Sequence, residues 1–398
     1  MKKIIEKYQR VFGDFIGSNH AFTFWKGRVA LYAILKAMGV GAGDEIILPG
    51  YTCVMDVNPV KYVGAKPVYV DIEPETFNID VNLLKEKITS RTKVIIAQHT
   101  YGYPCDMDAI MKIAQDKNIT VIEDCCLALG SKYKGRMVGT FGKAAYFSSQ
   151  WNKPYTTGLG GMAVTNDSKL AESIQALCDN EIFCPSNPEV FMLWSQLVIY
   201  RLFIYPGTTA FAQNLFRYLT KKGLVIGSSN TNEFQLSNQN HNGHDYTGWK
   251  PVKPDKFFKS LSGVQARSGL RQLNKINANI QHRKEMALLY DKLLREKGIN
   301  PQYSDDCTEP VLVRYPVRIK DKNHALEKAT KEGIELGSWF ESPLHPIETP
   351  LVLYDYEIGS CPQAENAADE VVNLPLHPRV NEKTARRTVD FIADYAKK

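Results

Sequence analysis

Three things are scarce in this chain of 398 residues, and each scarcity narrows what it can do. Charge of one sign is scarce: 49 lysines and arginines stand against 43 aspartates and glutamates, a net of +6, with no block of like charges. A nucleic-acid surface is therefore not implied, although a mildly positive cleft would suit a phosphorylated substrate. Patterned cysteine is missing too. The eight cysteines, at 53, 105, 125, 126, 178, 184, 307 and 361, have no repeated metal-ligand spacing, and the adjacent Cys125 and Cys126 suit neither a disulfide framework nor a zinc site. We expect a reduced, cytoplasmic protein with no bound metal. Its opening, MKKIIEKYQRVFGDFIG, is a charged amphipathic helix rather than a signal peptide. Long apolar runs are the third scarcity. Phe191–Tyr205, FMLWSQLVIYRLFIY, is strongly apolar but too short, with Arg201 too central, for a membrane span of about twenty residues.

What is present is a βαβ rhythm. Glu45–Leu48, Lys66–Val70, Val94–Ala97 and Thr120–Ile122 read as short buried strands, separated by helical stretches such as Val81–Ile88 and Met107–Lys117. This pattern predicts an α/β fold with a mostly parallel central sheet covered by helices. The loops after these strands, Pro49–Cys53, His99–Gly102 and Asp124–Leu127, should share one cleft at the sheet's C-terminal edge. From about Ser260 the pattern changes to long helices, Val264–Lys275 and Asn277–Leu294, then strands over Val311–Arg318 and a last helix over Thr384–Ala396. We expect a large domain over 1–255, with an apolar insertion around 185–250, and a smaller α+β domain over 256–398.

The stretch FSSQWNKPYTTGLGG (147–161) fixes one lysine, Lys153, between a Ser-Ser pair and a glycine-rich turn. A lysine desolvated among Phe147, Trp151 and Tyr155 would lose part of its preference for charge, and a neutral amine attacks carbonyls. Upstream, Thr120–Asp124 delivers Asp124 at a strand's end, and Lys26-Gly27-Arg28 opens a helix whose free amides would suit a phosphate. An anion site, an acid and an activated lysine are the three contacts that pyridoxal phosphate asks for. His99 reads as a structural histidine, and His345 stays open between substrate contact and structural role.

With these residues the chain resembles the DegT/StrS family of pyridoxal-phosphate-dependent sugar aminotransferases, which have the fold type I aminotransferase architecture. The resemblance runs through GVGAGDEIILPGYT (39–52), GAKPVYVDIEPETFNID (64–80), HTYGYPCDMDAI (99–110), VIEDCCLALGSKYKGRMVGTFG (121–142), the lysine stretch and CPQAENAADEVVNLPLHP (361–378). It implies Lys153 as the Schiff-base lysine and proton shuttle, Asp124 on the pyridine nitrogen, and Ser148 with Gly27 and Arg28 on the phosphate. It also implies an amino donor such as glutamate, a keto-sugar acceptor linked to a nucleotide, and a homodimer with the active site at the interface. Four positions depart from the family. Cys53 stands where an aromatic stacks on the ring, so stacking passes to a neighbour such as Tyr51. Leu127 replaces the glutamine or histidine that bonds the ring's phenolic oxygen. Arg28 replaces a small hydroxyl residue, and Phe258 the asparagine lent by a neighbouring subunit. A dehydratase on the same scaffold would carry histidine in place of Lys153, and a non-catalytic relative would not need Lys153, Ser148 and Asp124 together. Residues 191–222, with Arg217, Lys221 and Lys222 as a basic flank, are read either as a buried interface helix or as a peripheral membrane contact. Ser228–Thr247 is read as a loop over the cleft.

Overall fold

The strands that carry the apolar runs assemble into one seven-stranded sheet. It is built from β1 (His20–Phe24), β2 (Glu45–Pro49), β4 (Lys66–Val70), β5 (Thr92–Gln98), β6 (Thr120–Asp124), β9 (Ala144–Ser148) and β10 (Gly161–Thr165), in the order β1-β10-β9-β6-β5-β2-β4. β10 is antiparallel to both its neighbours, and the other pairs are parallel. The sheet is thus mostly parallel, as the pattern predicts. Short ladders join distant parts: β3 (Thr52–Cys53) with β13 (Leu344–His345), β7 (Lys132–Tyr133) with β8 (Arg136–Met137) and β11 (Thr308–Glu309), and β12 (Arg314–Arg318) with β14 (Val371–Pro375). The computed structural model describes residues 2–151, 153–203, 251–301 and 307–396.

α1 (Lys2–Ile16) buries Tyr8, Phe12 and Ile16 on one stripe, as its amphipathic pattern requires. α2 (Gly27–Ala37) is buried from Gly27 through Leu35, which suits its nearly unbroken apolar sequence. α3 (Val54–Tyr62) and α4 (Val81–Lys87) follow, then α5 (Met107–Lys117) and α6 (Ser168–Glu181), which start where Asp106 and Asp167 accept amide hydrogen bonds from Ala109 and Leu170. α7 (Asn187–Phe203) comes next. α8 (Gly263–Leu273) begins with a reciprocal cap between Ser262 and Gln265, and α9 (Ile276–Glu296) continues from it. α10 (Lys322–Glu332), α11 (Pro362–Glu370) and α12 (Glu382–Ile392) complete the described helices.

β6 delivers Asp124 at its end as expected, while β5 proves longer than its apolar run and reaches Gln98, because the ladder continues through the pair of Gln98 and Asp124. The strand expected at 311–318 begins only at Arg314. Val311 and Val313 instead spend their amides on the Ser131 hydroxyl and the Tyr101 carbonyl. α7 is one-sided. Leu193 and Leu197 pack with Trp25, Trp151 and Leu159, while Phe191, Trp194, Ile199 and Leu202 face outward. No helix among the described residues is long and apolar enough to cross a membrane. The segments 208–219 and 228–247, including Arg217, Lys221 and Lys222, lie outside the described residues.

One buried carboxylate holds the sheet edge to the loop behind it. Glu123 accepts hydrogen bonds from the amides of Gly139 (2.6 Å), Phe141 (2.7 Å) and Gly142 (2.8 Å) and meets His99 Nε2 at 3.2 Å. His99 accepts the Cys105 amide at Nδ1, so both ring nitrogens are engaged within the fold. Bonds to a buried charge are the strong ones, and an uncompensated partner is costly. Glu123→Gln should lower unfolding free energy by roughly 3 kcal/mol. A urea titration checks this.

Candidate active site

The site forms where the parallel strands end. Gly161, the first residue of β10, stands opposite Phe24 of β1; a Cβ there would lie 2.2 Å from the Lys26 carbonyl oxygen and 2.6 Å from the Gly27 nitrogen. Only glycine lets α2 begin this close to the strand. The glycine-rich turn therefore brings the chain close to itself. Lys26 precedes α2 in extended conformation, and its own side chain does not cap the helix. First-turn amides have no intrahelical partner and lie at the positive end of the dipole, so this end suits an anion. At Gly27 a Cβ would come within 3.0 Å of the Ser148 Cβ, so the helix start abuts the end of β9. Arg28 is 7% exposed and touches the Met55 sulfur.

Asp124 ends β6, is 4% exposed, and accepts the Cys126 amide at 2.8 Å. Lys153 is half-buried in the loop between β9 and β10, its Nζ 4.9 Å from the centre of the Trp339 ring. The aromatic neighbours expected around the amine are turned elsewhere: Phe147 and Tyr155 into the cluster under α1, Trp151 into the cluster under α7. Those positions follow the alternation of β9 and the burial of the turn. The ring at the amine comes instead from the C-terminal part of the chain.

Tyr51 is fully buried and stands behind that ring. Its hydroxyl is 2.8 Å from the Tyr101 hydroxyl and accepts the Phe340 amide at 3.2 Å, while Tyr101 donates to the Trp339 carbonyl. Because Tyr101 gives its proton to Trp339, Tyr51 donates to Tyr101. Lys322 Nζ donates to the Phe340 carbonyl at 3.1 Å and Asn373 Oδ1 accepts the Trp339 amide at 2.9 Å. The turn that presents Trp339 to Lys153 is thus fixed from four sides.

Cys53 joins the cleft directly. The charges of Asp56, Lys153 and Arg28 all act on its thiol, and burial outweighs the two cations, pushing it up to about 12. His345 pairs with Cys53 in the β3–β13 ladder; burial pulls its imidazole down to about 4, and its Nδ1 has no hydrogen-bond partner among the described residues. Leu127 is buried in the core, and Phe258 packs against Phe24 and Tyr32 of its own chain. The structure brings Gly27, Arg28, Cys53, Asp124, Ser148 and Lys153 to one edge and leaves Tyr51 in its support. Trp339 is contributed from far along the chain, in the aromatic turn Trp339–His345 that the family resemblance implies lies near the substrate. One participant escapes sequence reasoning. Asp56, in the first turn of α3, carries no motif at all.

The sequence profile of the DegT/DnrJ/EryC1/StrS aminotransferase family matches residues 2–183 and 256–393. The chain belongs to this family. The unmatched residues 184–255 enclose α7 and the apolar stretch around it. Among DegT-family relatives, the GDP-perosamine synthase of Escherichia coli O157:H7 is 47% identical over 166 residues, 42% of this chain and 46% of that protein. The match therefore spans less than half the length of that relative. The dTDP-3-amino-3,6-dideoxy-alpha-D-galactopyranose transaminase of Aneurinibacillus thermoaerophilus is 27% identical over 98% of this chain and 90% of its own. The crystal structure of DesV from S. venezuelae superposes with a TM-score of 0.73 at 23% identity, covering 98% of this chain and 88% of DesV. That likeness speaks for the fold, which is the aminotransferase architecture the family resemblance implies.

A raised thiol presents little thiolate. Iodoacetamide at neutral to mildly alkaline pH should label the exposed Cys184 and Cys307 first and leave Cys53 largely unmodified, as peptide mass spectrometry would record.

Proposed function

We propose that this chain is a pyridoxal-phosphate-dependent aminotransferase that moves an amino group from an amino acid, glutamate being the first donor to try, to a keto-sugar carried on a nucleotide. Such a reaction serves cell-surface polysaccharide or natural-product sugar synthesis. Support for the sugar comes from the relatives' names, and support for the chemistry from one observation: Lys153, Asp124 and the start of α2 converge at one sheet edge.

The residues present fit the cofactor. The donor set offers helix amides and Arg28 for a dianionic phosphate, a carboxylate for a pyridinium and a primary amine for an aldehyde. The missing Cβ at Gly27 lets the helix start lie against Ser148, which sets that hydroxyl residue beside the first-turn amides. When bound, pyridoxal phosphate supplies an electrophilic carbonyl carbon and a ring that accepts electron density from the donor's Cα. The chain does the rest. Gly27, Arg28 and Ser148 would hold the phosphate and so fix the ring's position. Asp124 would be the acid that pairs with the ring nitrogen. Lys153 Nζ would be the amine that bonds the cofactor and moves a proton at the donor's Cα. Trp339 covers the amine and limits its solvent contact.

The same reading includes a homodimer with the site at its interface, and takes 191–222 either as part of a subunit interface or as a peripheral membrane contact. The outward-facing Phe191, Trp194, Ile199 and Leu202 of α7 support an apolar partner surface there without choosing between the two. The dehydratase alternative is disfavoured by the lysine itself, and the non-catalytic one by the convergence around it.

Lys153→Ala should reduce turnover by roughly 10⁴-fold or more while leaving the thermal midpoint within a few degrees. In the wild type with pyridoxal phosphate, glutamate should bleach the visible cofactor band. The variant should show no such change, and retained transamination by it would remove the lysine from the account.

A further inference from the structure

The chemistry above uses one carboxylate, yet the cleft holds two. Asp56 lies in the first turn of α3, half-buried, and its Oδ1 accepts the Tyr146 phenol at 2.9 Å. Tyr146 is the register partner of Asp124 across the parallel pair β6–β9. Paired residues send their side chains to the same face of a sheet, so Tyr146 stands beside Asp124 while its phenol reaches Asp56. Asp124 in turn is fixed by the Cys126 amide.

The groups acting on Asp56 come from every side of the cleft: Asp124 from β6, Tyr146 from β9, Lys153 from its loop and Arg28 from α2, with the Cys53 and Cys126 thiols alongside. Burial and the negative charge of Asp124 push the Asp56 carboxyl well above the usual carboxylate range; Tyr146, Lys153 and Arg28 pull it back. The dipole of α3 also favours a negative charge in its first turn. Asp56 is thus held between opposing influences, and the largest charged one is Asp124. Anything that neutralises Asp124 removes it.

We propose that Asp56, beside Asp124 and bonded by Tyr146, carries a proton in the cofactor-free cleft, and that this proton leaves Asp56 for solvent when a pyridinium pairs with Asp124. The O–H bond of Asp56 breaks, its proton goes to a buffer base, and the Tyr146 hydroxyl keeps its own proton while donating to the new carboxylate. Asp56 touches neither the reacting atoms nor the carbonyl carbon. It is a positioning residue that keeps two like charges from repelling each other in the empty site and restores balance when a cation arrives. The inference rests on the cofactor assignment made above.

Isothermal titration of cofactor-stripped full-length protein with pyridoxal phosphate, at one neutral pH in two buffers of different ionisation heat, counts the protons exchanged on binding. Wild type should release about one proton per site more than Asp56→Asn, which is neutral throughout. Equal counts in two proteins that both bind would overturn this inference and leave the function standing. No binding by wild type in either buffer would overturn both. Should Asp56→Asn fail to fold or bind, Tyr146→Phe decides the matter. Loss of its hydrogen bond disfavours the charged form, so the pH midpoint of the extra proton's release should move upward, and an unmoved midpoint would contradict the proposal.

Discussion

The backbone at Gly161 lies so near the start of α2 that a single added methyl group would reach within 2.2 Å of the Lys26 carbonyl oxygen. This approach joins the antiparallel strand of the sheet to the helix start, and the rest of the site is positioned from there. β10 runs back beside β9, so Ser148 ends next to Gly27 and the Lys153 loop must bridge the two strands at the same edge. A larger residue would separate the helix amides from the lysine. The helix start and the amine would then no longer meet at one sheet edge.

A second constraint comes from the C-terminal part. The turn carrying Trp339 is held by the Tyr51–Tyr101 pair, by Lys322 and by Asn373, each on a different element. Burial pulls the Lys322 ammonium down to about 8, so it remains mostly charged at neutral pH and bonds two carbonyls, those of Phe340 and Ala368. An aromatic wall over the lysine thus depends on a buried cation in another part of the fold. This is how residues far along the chain shape the surroundings of Lys153 at the sheet edge.

The sheet and the lysine were legible in the sequence because both leave local marks. Apolar runs of three to five residues between turn signals gave β2, β4, β5 and β6, and the polar end of β5 was underestimated because the apolar pattern stops before Gln98. Asp124 and Lys153 were legible from strand-end position and loop composition. The surroundings of Lys153 were not, since which of Phe147, Trp151, Tyr155 and Trp339 meets the amine depends on packing between distant segments. Asp56 was illegible for the same reason. A lone acid after Cys53-Val54-Met55 is distinguished only by the tyrosine that folding brings to it, and nothing local to β9 marks Tyr146 as that partner.

The central claim is that Lys153 is the residue that bonds the cofactor, and borohydride reduction tests it most directly. Protein incubated with pyridoxal phosphate, reduced, digested and mapped by mass spectrometry should carry the pyridoxyl group on the peptide containing Lys153, at close to one per chain. A label spread over surface lysines, or none retained after reduction, would contradict the account.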